Sequence, residues 1–178
     1  MEDVQFFRHS FHRDIQYLQV KANQVLCLIE LERIEKIVSL MALKAVSASP
    51  DYLVGVFNYK GRIVPVIDLS LRIGQPVDAQ YDINSSVILC ETLDSQSMLG
   101  LIVSDIKTVL NIKPADLQLS PEFINKKNPF MACYQHLKEI AFVLDSNVLL
   151  ENSLSNINAV LPEELNNAIL QYNESYER

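Results

Sequence analysis

Short apolar runs broken by polar pairs and isolated glycines recur along the chain, a pattern that predicts strands rather than long helices. Tyr17–Val20 and Val25–Ile29 flank Lys21-Ala22-Asn23-Gln24 and predict a hairpin with Asn23 as the turn residue. Residues 30–40, ELERIEKIVSL, fit two periods: Leu31, Ile34, Ile37 and Val38 stand at helical spacing, yet the run could equally be extended. A loop follows over 39–49. Tyr52–Tyr59 is β-branched and aromatic, Lys60-Gly61 supplies a turn, and Ile63–Leu69 is a second strand. Pro65 cannot donate a ladder hydrogen bond and predicts an edge or a bulge at that point. Asp68 is placed to cap a short helical turn running through Ile73, and Gly74 to end it.

The polar, proline-bearing run 75–86 reads as a linker between two halves. Val87–Cys90 is then a strand, and Leu99–Val103 with Ile106–Ile112 form a further pair about Ser104-Asp105. The run 113–138, with Pro114, Pro121 and Pro129, predicts a long irregular stretch, which is uncommon inside a compact domain. Ile140–Leu144 closes the apolar pattern. Beyond it, Leu161, Leu165, Ala168, Ile169 and Tyr172 mark one face of a helix over about 162–173, with Pro162, Glu163 and Glu164 suited to its first turn. Residues 1–15 read as a polar lead-in, with Phe6, Phe7 or Phe11 docked on the body.

Composition narrows the function. The chain has 178 residues, enough for one domain or two small ones, and 49% hydrophobic against 21% charged residues favours a folded state. A net charge of −7 argues against nucleic acid and against an anionic membrane surface as partners. No apolar run reaches the roughly 18 residues of a membrane helix, and the N-terminus lacks the apolar core of a secretory signal, so a cytoplasmic protein without membrane insertion is expected. Cys27, Cys90 and Cys133, an odd set without close pairs, predict buried free thiols. The four glycines sit at expected strand ends or turns, where a side chain would be costly.

Candidate chemistry is sparse. His9 and His12 have a spacing a helix could use for metal but lack a third ligand. Cys133 and His136 could pair as ligands, or as thiol and base, but stand alone. Glu30, Glu32 and Glu35 read as a solvated face. Nucleophile-elbow, zincin, dithiol and phosphate-loop motifs are all missing from the sequence. The expectation is therefore a chain with no catalytic residues, no cofactor and no metal.

The run Pro50–Gly74 resembles the signature of the CheW family, the adaptor proteins of bacterial chemotaxis arrays. Pro50, Tyr52, Gly55, Val56, Asn58, Gly61, Val64, Pro65, Val66, Asp68 and Leu69 match in unbroken register, while Lys60 stands where the family has arginine. Gly100, Val103, Val109 and Leu110 resemble a second family block, with Ser104 in place of an aspartate and Asp105 beside it. Residues 140–150 resemble the closing element, without the glycine the family carries near Met131–Cys133. The resemblance spans about Tyr17–Leu150. It implies a mostly β fold: two small five-stranded SH3-like β-barrel subdomains side by side, plus a C-terminal helix. Residues 16–150 would form one CheW-like domain with a changeover near 75–86, and 30–40 would be extended.

The resemblance also implies a function. The chain would be a non-enzymatic adaptor that couples the cytoplasmic tip of a chemoreceptor to the regulatory domain of a CheA-type histidine kinase. It would be cytoplasmic and recruited to receptor arrays. Carried over by position, the partner-binding residues would be Ile34, Lys36, Gly55, Asn58, Lys60, Gly61, Arg62 and Val64. The family often has glutamate where Lys36 stands, so partner preference would shift. A pilus-motility, c-di-GMP or other chemosensory-like pathway fits the same resemblance, as does a domain that has lost partner binding and persists as a stand-alone regulator. A small-ligand-binding or enzymatic β-barrel is the alternative from another class, and it predicts an enclosed apolar pocket.

Overall fold

The structure, a computed structural model, describes residues 14–47, 49–77, 81–82, 84–91, 98–119, 128–145 and 148–149. The expected lead-in with its phenylalanines and histidines, and the helix over 162–173, lie outside the described residues. Among the described residues eleven strands form: β1 Ile15–Ala22, β2 Val25–Glu30, β3 Ile34–Ser39, β4 Leu53–Tyr59, β5 Arg62–Asp68, β6 Ser86–Glu91, β7 Met98–Val103, β8 Asp105–Ile112, β9 Leu117–Gln118, β10 Phe130–His136 and β11 Glu139–Leu144. One four-residue helix, α1, spans Leu69–Arg72.

Local chemistry explains the predicted pieces. The β4–β5 turn has Lys60 at φ 52° and Gly61 at φ 82°, the two left-handed residues of the tight turn that suits strand twist. The Asn58 side chain holds it, since Oδ1 accepts from the Gly61 N–H at 2.8 Å. Asn23, at φ 55°, turns β1 into β2 as expected. Asp68 caps α1 by accepting from the Leu71 N–H at 2.8 Å, and Gly74 ends the turn in the left-handed region at φ 77°. Residues 34–39 are extended, after a 3-10 turn over Leu31–Arg33.

Pro65 corrects one expectation. It is at neither an edge nor the bulge, because β5 lies between β4 and β7. Its partner Val56 exchanges both backbone hydrogen bonds with Lys44, at 2.8 and 2.9 Å, so β4 asks nothing of Pro65. Pairing with β7 begins only at Val66. A proline therefore costs this strand no ladder bond.

The strands form two sheets, one of six strands ordered β8-β1-β2-β11-β10-β9 and one of five ordered β3-β6-β7-β5-β4. The first carries one strand more than predicted, the two-residue β9. Both sheets curl. A flat five-stranded sheet would hold its outer strands about 19 Å apart, yet Glu35 on β3 meets Lys60 at the β4–β5 turn at 3.4 Å. The chain leaving β3 then bridges β4 through Lys44 and Val56, drawing the outer strands of this sheet towards each other. In the other sheet a 3-10 turn over Pro114–Asp116 joins the outer strands β8 and β9 directly. This is SH3-like packing of two curled sheets rather than of two closed barrels, for the outer strands β3 and β4 do not pair as strands, and neither do β8 and β9.

Three further expectations change. The sheets do not follow the halves of the sequence. The chain passes from the six-stranded to the five-stranded sheet at 31–33 and returns at Ser104, while residues 75–85 connect α1 to β6. β7 and β8 do not pair with each other, for the corner at Ser104 sends them into different sheets. The stretch 113–138 is not irregular throughout, since it holds β9 and β10.

Why the sheets stay together is written in the alternation. Along β7, Met98 and Ile102 fill the five-stranded barrel, while Leu99, Leu101 and Val103 face the core between the barrels. Along β6, Val87 and Leu89 point in and Ile88 and Cys90 point out to the shared core. β2 does the same for the other barrel, with Leu28 inside and Cys27 and Ile29 between. Strands buried on both faces read as continuous apolar runs.

Candidate functional site

Apart from Gly55, which opposes Val66 further along the hairpin, the residues singled out in the sequence gather at one end of the five-stranded barrel. A bulge in the β3–β6 pairing falls at Glu35, because Ile34 opposes Cys90 while Lys36 opposes Leu89. The extra residue re-aims the strand and lets Glu35 reach Lys60. The Lys60 ammonium also lies 4.9 Å from the Tyr59 ring centroid. Contact with Tyr59 and then with Glu35 raises the Lys60 pKa above the ordinary lysine value. Lys36, Lys60 and Arg62 are exposed, and Ile34 is half-buried against the shared core.

Two of the residues carried over as partner contacts are buried. Val64 is fully buried inside the barrel, at 0% exposure, and supports the hairpin from beneath. Gly55 is buried too, and a Cβ there would stand 2.8 Å from the Lys44 carbonyl oxygen and 3.0 Å from the Leu43 Cβ. Its glycine lets the chain after β3 close over β4. Asn58 and Gly61 shape the turn. The exposed members of the set are thus Lys36, Asn58, Lys60, Gly61 and Arg62, with Ile34 at their margin. The sequence marks Glu35 only as part of a solvated face, since no local pattern announces its bulge, and it gives no sign that Ile37 and Met41 are 41% and 40% exposed along the same edge.

The opposite end of this barrel holds an open concavity of about 440 Å³ lined by Asp68, Tyr81, Asp82, Ser85, Ser104 and Asp105, among others. Both Asp68 oxygens are engaged, one by the Leu71 N–H and the other by the Tyr81 hydroxyl at 2.6 Å. Burial, then that hydrogen bond, raises the Tyr81 pKa. Asn84 hydrogen bonds lower the Asp82 pKa, and the bond from Lys107 lowers that of Asp105. Ser104 Oγ accepts the Asn23 N–H at 2.8 Å, and the Asn23 amide reaches the Pro76 carbonyl at 2.9 Å. The serine that replaces the family's aspartate thus serves as an acceptor pinning the β1–β2 turn.

The thiols differ from one another. Cys27 and Cys90 are buried in the shared core, and burial pushes both pKa values up to about 12. Cys133 is half-exposed, correcting the expectation of three buried thiols, because its face of β10 is only partly covered. Only Cys133 is therefore expected to react promptly with a thiol reagent at neutral pH, with Cys27 and Cys90 reacting after denaturation. Mass spectrometry of the labelled native chain checks this, and early labelling of Cys27 or Cys90 would contradict the packing. Among the described residues, no group of three or more His, Cys, Asp and Glu is placed to hold a metal, and no helix is long and apolar enough to cross a membrane.

Fold and site together define a class: paired SH3-like barrels with packed interiors, presenting a charged hairpin end. The model of the CheW-like domain family matches residues 16–154, and the chain belongs to that family. Relatives include the chemotaxis protein CheW of Klebsiella aerogenes, 30% identical over 95 residues that cover 53% of this chain and 55% of that protein. The chemotaxis protein CheW of Helicobacter pylori is 26% identical over 100 residues, covering 56% of this chain and 59% of the relative. The chain thus spans little more than half the length of these curated relatives. The crystal structure of the scaffolding protein TtCheW from Thermoanaerobacter tengcongensis superposes with a TM-score of 0.67 at 19% identity, over 78% of this chain and 88% of that one. That likeness is one of fold.

Proposed function

We propose that the chain is a non-enzymatic scaffold that couples the cytoplasmic tip of a chemoreceptor to the regulatory domain of a CheA-type histidine kinase on the cytoplasmic side of a receptor array. The family match over residues 16–154 carries this reading. The rigid shared core supports it, since a bridge that holds two partners in one geometry must not flex between its halves. The interiors of both barrels are filled by side chains, which favours a surface role over small-ligand capture. Affinity would come from a few anchors at the hairpin end, Ile34, Lys36, Lys60 and Arg62, shaped by Gly55, Asn58, Gly61 and Val64 beneath and beside them.

Titration calorimetry with the kinase regulatory domain, at concentrations on the order of tens of micromolar suited to a small interface, is expected to show binding. Absence of heat with every kinase of the same organism would overturn the proposal. Lys60→Glu is expected to weaken receptor or kinase binding while leaving the melting temperature nearly unchanged, because exposed ion pairs contribute below about 1 kcal/mol. A large drop in melting temperature would make Lys60 structural instead.

A further inference from the structure

We infer that the C-terminal segment 161–172 folds back onto the hairpin end of the five-stranded barrel and competes there with the partner, an autoinhibitory contact within one chain. That a partner uses this end rests on the scaffold reading. The contact itself rests on charge, on exposed apolar surface and on the path of the chain. Residues 151–178 carry Glu151, Glu163, Glu164, Glu174 and Glu177 against Arg178 alone, so this stretch supplies more than half of the net charge of −7. At about 3.6 residues per turn, Leu161, Leu165, Ala168, Ile169 and Tyr172 form one stripe of the helix that the sequence predicts over 162–173. Glu164 falls at the border of that stripe and Glu163 on the far side. A helix of this kind calls for an apolar surface edged with cations.

The hairpin end supplies one. Lys36, Lys60 and Arg62 are exposed there, and Glu35 is turned to Lys60, so Lys36 and Arg62 make no ion pair with a described residue. Ile37 and Met41 are exposed along the same edge. The opposite end of the barrel repels an acidic segment, because Asp82 and Asp105 stand exposed around its concavity. A tethered acidic segment on an acidic protein therefore settles where the local sign is reversed. The route is short. Leu149 is anchored in the shared core and lines one small gap there with Cys90 and Leu99. Cys90 is the strand partner of Ile34, at the margin of the exposed cations. Residues 150–160 can span about 36 Å when extended, whereas the edge from Ile34 to Met41 runs for about 23 Å. A tether of this length holds the segment at an effective concentration on the order of millimolar, so a contact too weak to persist between free molecules still occupies the site.

The test uses the full chain labelled with nitrogen-15. Leu165→Asp and Glu164→Lys are each expected to shift the amides of residues 34–37 and 60–62, while Glu163→Lys leaves them nearly in place. A peptide of residues 159–174 added to the Leu165→Asp chain should return those amides toward their wild-type positions, less so at high salt. Amides unmoved by Leu165→Asp and Glu164→Lys, or moved equally by Glu163→Lys, would overturn the inference. So would wild-type amide positions that change with protein concentration, since the segment would then come from a second copy. Titration with the receptor tip fragment and the kinase regulatory domain of the same organism reads the competition. Glu164→Lys is expected to tighten whichever of them Lys60→Glu weakens, by about two- to fivefold for a weak contact held on a millimolar tether, and the difference should close at high salt. Equal affinity of wild type and Glu164→Lys for that partner would remove the autoinhibition. If both tail variants move the amides while neither receptor nor kinase binds any of the chains, the scaffold reading falls and the folded-back contact stands.

Discussion

Gly100→Val is expected to destabilise the protein by about 3 kcal/mol, at the upper end of what overpacking costs. Gly100 lies on the inner face of β7 between Met98 and Ile102, where a side chain would enter the five-stranded barrel. A Cβ at this position would stand 2.9 Å from Val87 Cγ1 and 3.1 Å from Val66 Cγ2. Both neighbours are themselves buried on central strands, so neither can swing into solvent. Gly100→Ala should lose less, about 1–2 kcal/mol, because one methyl needs only a small shift of those valines. Urea unfolding followed by circular dichroism would measure both. Changes within about 0.5 kcal/mol of wild type, the usual range for surface substitutions, would mean that the barrel interior has room that the contacts deny.

Leu101→Ala should cost about 3 kcal/mol or more, in the range for a large core residue truncated to alanine, and the loss should be felt in both barrels. Leu101 follows Gly100 but faces the opposite way, into the core shared with Leu18, Val20, Cys27 and Ile29 of the other sheet. Hydrogen exchange is the readout. Amides of β6 and β7 and amides of β1 and β2 should lose protection by similar factors, because a cavity in a shared core weakens whatever borders it. Loss confined to the five-stranded sheet would show that the barrels are energetically separate, and with it the rigid bridge would lose its physical basis.

The two substitutions also mark what could be read from the chain itself. The β4–β5 hairpin was legible because its turn chemistry, Asn58 with Lys60-Gly61, is local, and so was the Asp68 cap with Gly74. The extended course of 34–39 was not decided by periodicity, since Glu35 as a bulge residue breaks the alternation that would have revealed a strand. β10 was missed for a related reason: its pairing with β11 shifts between Phe130 and Ala132, and its outer residues are polar. β9 is two residues long and has no pattern to show. The wrong partner for β8 and the misplaced changeover have a different origin. Which distant strand pairs with which is set by the shared core, and that core is built from residues that look locally like any buried run. Of the site, the exposed cations were visible in the sequence as residues, but only burial separates them from Val64, inside the barrel, and from Gly55, under the chain that follows β3.

The order of strands has a consequence for synthesis. β1 must find β8, and β2 must find β11, so both leave the ribosome well before these neighbours do. Until residue 144 emerges, the nascent hairpin of β1 and β2 exposes Leu18, Val20, Cys27 and Ile29 on one side and Tyr17 and Leu28 on the other. The middle segment, 34–103, can meanwhile complete its own five-stranded sheet, and its outward residues offer that waiting hairpin a temporary shelter. Such distant pairing slows folding and prolongs exposure to aggregation, so a stalled or truncated chain lacking β11 should depend heavily on chaperones.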